Sequence, residues 1–231
     1  MILSQNFIFT TNSNPTIPIN KIEKRDFKMK LYRPFPIDEE LTISSHNMMV
    51  TKTNMQGDII FVNESFSSVV GYAPEEIVGT PHDALRHPDM PQAIFFLIIQ
   101  AIEKGEKIRT IVKNLAKSGE YYWAITDFEP EREITGQISS FFAFREAIPK
   151  ENIYELIELY QILLDIEKRR GVEASLLYLN RHLNENNMSY TDLMEIMSRP
   201  KSLIQRIFVK SLAPKDKDKL NYRVEHHKLV A

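Results

Sequence analysis

The sequence predicts an α+β domain: one five-stranded antiparallel sheet with short helices on one face, followed by a C-terminal helical region. Two observations predict it. Two short strand-like runs are followed by helical turns punctuated by glycine and proline, and then by three strand-like runs joined by tight turns. After Pro149 the apolar residues change to helical spacing. No internal repeat is visible.

Residues 1–41 are rich in Asn, Thr, Ser, Pro and Lys without a sustained period, so a flexible leader is expected, with Met29 as an alternative start. Residues 47–53 read as a strand, Gln56-Gly57-Asp58 as a turn and Ile59-Ile60-Phe61-Val62 as a second strand. Asn63 is placed to cap a helix over 64–70 that stops at Gly71. Pro74 starts another helical turn, stopped by Gly79. Asp89 is expected to cap a longer helix over 91–104, stopped by Gly105. Strands then follow over 107–115, 120–129 and 137–146, with turns at Ser118-Gly119 and Thr135-Gly136. These elements make a domain over 42–146.

The next segment, 150–199, reads as three helices and as a docking or dimerisation region. Leu156, Leu159, Leu163 and Ile166 form a seam two heptads long, which needs a packing partner: the sheet, a second copy or another protein. Gly171 separates a helix over 172–184, and Ser189 with Asp192 resembles a capping box before a third helix that ends ahead of Pro200. Residues 200–231 read as a polar tail, with a short helix near 201–210.

Composition narrows the functional classes. The net charge of −2 gives no overall positive field for nucleic acid or an anionic membrane. There is no cysteine, which excludes disulfides, thiolate metal sites, cysteine nucleophiles and flavin photochemistry through a cysteinyl adduct. The run Ala93-Ile94-Phe95-Phe96-Leu97-Ile98-Ile99 is far short of the ~20 residues of a bilayer span. No basic region precedes the first apolar residues, so a secretory signal is not expected and the location is expected to be cytoplasmic. No catalytic triad, P-loop, GxGxxG or paired-carboxylate motif is apparent, so a non-enzymatic role is expected.

The chemistry concentrates in Arg86-His87-Pro88-Asp89-Met90-Pro91. Its two prolines hold the backbone extended and present Arg86, His87 and Asp89 on a shaped turn. Arg86 suits a phosphate through its fixed fork of donors; a surface ion pair is the alternative. His87 suits a ligand hydrogen bond, haem iron or a backbone carbonyl. Asp89 reads as a helix cap as readily as a ligand contact. Asn114 is a poor strand former that offers a donor and an acceptor, or else bonds the neighbouring turn. In Tyr121-Tyr122-Trp123 the faces alternate, so either Tyr121 and Trp123 or Tyr122 points inward.

Together these motifs resemble a PAS domain, and more narrowly the flavin-binding PAS domains of aerotaxis and energy-taxis receptors. The residues that carry the resemblance are Gly57 through Phe66, Val70-Gly71-Tyr72-Ala73-Pro74-Glu75-Glu76-Ile77-Val78-Gly79-Thr80-Pro81-His82, the turn from Arg86 to Pro91, Ile111-Val112-Lys113-Asn114 and Lys117-Ser118-Gly119-Glu120-Tyr121-Tyr122-Trp123. The resemblance implies non-covalent FAD and a redox report to a chemotaxis module. It implies cofactor contacts at Asn63, Phe66, Arg86, His87, Asp89, Asn114 and Trp123. Where many relatives carry Trp, this chain has Ile108-Arg109. Without a membrane span or long signalling coiled coil, it looks like the soluble, CetB-type sensor subunit that works with a membrane-bound chemoreceptor-like partner, peripheral at the inner membrane through that partner, and as a possible homodimer. A haem-binding gas sensor, with His87 or His82 as ligand, and a cofactor-free dimerisation module are the alternatives.

Overall fold

The computed structural model describes residues 33–46, 48–150 and 153–199; the tail and its expected short helix lie outside them. The sheet consists of β1 (Met49–Asn54), β2 (Ile59–Val62), β3 (Ile108–Leu115), β4 (Tyr121–Arg132) and β5 (Ile138–Ala147). Its order is β2-β1-β5-β4-β3, and every pair is antiparallel. This is the expected five-stranded architecture. Between β2 and β3 run α1 (Glu64–Val70), α2 (Pro74–Ile77), a 3-10 turn (His82–Leu85) and α3 (Gln92–Lys104). The C-terminal helices are α4 (Ile153–Arg170), α5 (Val172–Glu185) and α6 (Tyr190–Ser198).

Local chemistry sets most boundaries. Asn63 Oδ1 accepts the Phe66 N–H at 2.9 Å, which caps α1, and Gly71 closes it at φ +79°. Ser189 and Asp192 form the capping box that starts α6. Gly119, at φ +94°, closes the β3–β4 turn and lets the Phe35 carbonyl approach where a Cβ would overlap it. Residues 37–41, read from composition as leader, are bonded there: Ile37 N–H donates to Gly119 O at 2.9 Å and Leu41 N–H to Tyr121 O at 2.7 Å.

Strand register divides the sheet's residues between two faces. Met49, Thr51, Thr110, Val112, Asn114, Tyr122, Ala124, Thr126, Ala143 and Arg145 share the face that carries the 64–104 helices, and all are buried. The apolar seam of α4 is also buried: Leu156, Leu159 and Leu163 belong to the same core cluster as Phe66, Met90 and Ile94, and Ile166 is half-buried. The seam's partner is thus the protein's own core, and it is not a free docking surface.

One expected cap is corrected. The N-cap position of α3 is Pro91, and Asp89 is exposed and paired with Lys113 Nζ at 3.0 Å. The first donors of α3 are instead met from α4: Gln92 N–H and Ala93 N–H donate to Glu167 Oε2 and Oε1 at 2.9 and 2.8 Å. Local spacing favoured Asp89, but the carboxylate that reaches the helix start lies about 75 residues downstream.

Candidate functional site

β3 is an edge strand, and the Arg86–Pro91 turn is laid along its free side. Arg86 and Asn114 form an isolated antiparallel bridge. His87 N–H donates to Lys113 O at 3.2 Å, and Lys113 N–H donates to Met90 Sδ at 3.1 Å. These bonds satisfy edge groups that a strand would otherwise expose. The Arg86 Cζ lies 4.9 Å from the Phe95 ring centroid, one turn into α3. Its Nε is buried with no hydrogen-bond partner.

His87 is occupied within the turn. Its Nδ1 accepts the Asp89 N–H at 3.1 Å, and its ring meets Tyr121 edge-on. Burial, with Lys113 next in effect, holds its pKa down at about 4. The ring is therefore neutral at pH 7, and the 3.4 Å approach of Asp89 Oδ2 is no ion pair there. Asn63 is occupied too: Oδ1 accepts from Val50 and Phe66, and Nδ2 donates to Met48 O. It latches α1 to β1.

Behind the turn, on the helical face of the sheet, lies a polar cluster centred on Arg145. This arginine is fully buried. Its Nη1 donates to Thr51 Oγ1 at 3.0 Å and Ala143 O at 3.3 Å, its Nη2 meets His82 Nε2, and its Cζ lies 5.8 Å from the Phe66 ring centroid. No carboxylate pairs with it among the described residues, and its Nε has no partner. Burial holds its pKa below the usual arginine range, though an arginine stays charged at neutral pH. Burial and then the neighbouring Arg145 charge lower the His82 pKa to about 3, so this ring is neutral and accepts.

Asn114 and Tyr122 share this face. The Asn114 Nδ2 to Tyr122 Oη separation, 3.5 Å, is at the long limit for a hydrogen bond. Burial raises the Tyr122 pKa. Thr126 Oγ1 is buried without a partner.

The structure thus places Phe66 against Arg145 and Asn114 beside Tyr122 on the same face of the sheet, and sets Arg86 and His87 at the β3 edge next to Asn114. It separates the others. Asp89 is at the surface, and Trp123 is on the opposite face, 6.2 Å from the Tyr160 ring. No sequence motif points to Arg145 or Tyr122 as a ligand residue. β5 carries Phe at 141, 142 and 144, so alternation leaves its inward face ambiguous, and only pairing with Thr126 and Met49 turns Arg145 inward.

Residues 59–144 match the family model described as PAS fold. The fold is a PAS fold. The chain is 34% identical over 131 residues to the aerotaxis receptor of Escherichia coli, a match that covers 56% of this chain and 26% of the receptor. It is 29% identical over 141 residues to a blue-light-activated histidine kinase of Brucella anthropi, covering 60% of this chain and 28% of the kinase. Among solved structures, the Aureochrome1 LOV photoreceptor domain aligns with a TM-score of 0.42 and 21% identity over 52% of this chain and 91% of that one. The matched stretch is about a quarter of the length of these two curated relatives. The PAS segment is related to aerotaxis receptors and other PAS proteins, and the similarity does not single out CetB-type subunits.

Proposed function

We propose that this protein is a redox sensor that binds FAD in its PAS domain and passes the signal by protein contacts to a membrane chemoreceptor-like partner in energy taxis, from the cytoplasmic side. The observation that carries the proposal is Arg145. A buried charge without a counter-ion is costly, and buried donors and acceptors are normally satisfied. Arg145 Nε and Thr126 Oγ1 lack partners. A planar ring edge rich in acceptors, with a matching donor, fits this set together with Asn114. Flavin supplies such an edge, and its chemistry is reversible electron uptake.

The chain's own residues have distinct tasks here. Arg145 holds the ring edge and favours the state with more negative charge. Asn114 bonds the two redox states unequally, as a population shift requires. Phe66 packs beneath the guanidinium. Arg86, at the rim, faces the phosphate end, which favours FAD over FMN. His82 now meets Arg145 and yields its place to the ligand. The name of the E. coli relative supports the taxis assignment, and the sensor role needs no catalytic groups.

The test is the absorption spectrum of gently purified protein, with the released cofactor identified. Flavin bands and FAD are expected; a Soret band or colourless protein overturns the proposal. Arg145→Met should lower flavin occupancy and make the bound flavin harder to reduce. A variant with wild-type occupancy and potential would remove Arg145 from the site.

A further inference from the structure

The end of α4 and the start of α5 stand over the Arg86 turn. Between them is a cleft of about 530 Å³ whose lining includes Arg86, Met90, Gln92, Glu167, Lys168 and Arg170. Two independent features of this cleft point to an anion. The first is the start of α3, a helix of 13 residues, whose Gln92 and Ala93 N–H groups converge there. A helix start concentrates unpaired donors and partial positive charge, and phosphates bind at such ends. The second is Arg86, which is only 9% exposed, lines the cleft, and keeps a buried Nε without a hydrogen-bond partner.

The group now held there is the chain's own. Glu167 sets one carboxylate oxygen on each N–H, at 2.9 and 2.8 Å, in the bidentate manner of a phosphate. Nothing nearer in sequence performs this task, since Pro91 has no capping side chain and Asp89 turns to Lys113. Charge follows the same logic. With Glu167 in place, Arg86, Lys168 and Arg170 face Glu167 and Glu173; with Glu167 withdrawn, three cations face one carboxylate.

We propose that Glu167 is an internal stand-in for phosphate: the cleft binds a phosphate-bearing ligand in competition with Glu167, and binding frees the α4–α5 corner from the sensor body. If the flavin reading holds, on which only this identification rests, the ligand is the pyrophosphate of the dinucleotide. The corner is a single residue, Gly171, at φ +84° with open space where a Cβ would stand, so α4 and α5 meet without steric obstruction at that point. Ligand arrival is then converted into release of the helices.

The experiment uses the full chain, freed of any nucleotide, with inorganic pyrophosphate as probe. Binding is followed by calorimetry, and backbone motion by amide exchange. Glu167→Gln should bind pyrophosphate about tenfold more tightly than wild type, Glu167→Asp should also bind more tightly, and Arg86→Met should bind at least tenfold more weakly. Saturating pyrophosphate should speed exchange in the last turn of α4 and the first of α5 in wild type. Unchanged affinity in both Glu167 variants, or unchanged exchange at the corner, overturns the inference. Thermal melting checks that each variant is folded, and Glu167→Asp keeps the test decisive if Glu167→Gln is not. Glu167-dependent pyrophosphate binding in protein that purifies colourless supports this inference and sinks the flavin reading. Flavin-bound wild type with Glu167-independent binding does the reverse.

Discussion

His87 and Arg145 show how little a residue's type says about its work until its neighbours are known. His87 stands in the most distinctive motif of the chain, yet its Nδ1 is used to accept the Asp89 N–H within the same turn. Its neutral state is part of the fold, which makes pH a test. An imidazole with an ordinary pKa near 6.5 when unfolded and about 4 when folded takes up protons preferentially in the unfolded chain. Stability should therefore be level above pH 6.5 and fall between pH 6.5 and about 4, with His82 adding to the loss down to about 3. Asn at position 87 can offer Oδ1 to the Asp89 N–H without titrating. Urea unfolding of His87→Asn at pH 7 and pH 5 should show a smaller loss than wild type; an identical loss would mean that His87 does not contribute.

At the scale of elements, the main event is the covering of β3. Its free side is closed by the Arg86–Pro91 turn at residues 113 and 114 and by α4 at residue 111. There Tyr160 Oη, fully buried, donates to Ile111 O at 2.8 Å. Nearby, Thr110 Oγ1 and Tyr190 Oη of α6 lie 2.6 Å apart, and burial raises the Tyr160 pKa well above its ordinary value. Tyr160→Phe keeps the ring against Trp123 but leaves the Ile111 carbonyl without its donor. The expected cost is ~1–3 kcal/mol, the penalty of an unmet buried acceptor. Chemical denaturation measures it, and a change below ~0.5 kcal/mol would mean that water replaces the hydroxyl. The same contact joins the strand that carries Asn114 to the first C-terminal helix. It is a direct mechanical link between the candidate site and the region proposed to carry output.

Among the described residues, the PAS body and the C-terminal helices share one core. Leu163 is 0% exposed and Leu159 4%. Changing both to Glu forces two charges into apolar surroundings, each at a cost of several kcal/mol, against a total stability of ~5–15 kcal/mol. The double variant should therefore lose the cooperative melting transition of the PAS body along with its helices, as followed by circular dichroism. A PAS body that still melts cooperatively at the wild-type temperature would show that the helices fold separately. A partner or second copy that docks on these helices would meet other faces, such as those that expose Tyr154 on α4 and Leu177 on α5 at 74% and 56%.

Much of this architecture is legible in the chain because it is written in short-range chemistry. Glycines stop helices, Asn63 and Ser189 start them, and apolar periods distinguish strands from helices, so element order and most ends follow from neighbours in sequence. The candidate site is legible only where local constraint concentrates polar residues, as in the Arg86–Pro91 turn and at Asn114. Arg145 on the helical face, Trp123 buried on the opposite face, and Glu167 in place of Asp89 at the start of α3 are long-range outcomes. Each depends on register or on the approach of an element far away in sequence. A one-residue change of register would turn Arg145 to the opposite face, and no local propensity records that choice. An apolar seam states that a helix must be covered, and what covers it is settled when the chain closes on itself.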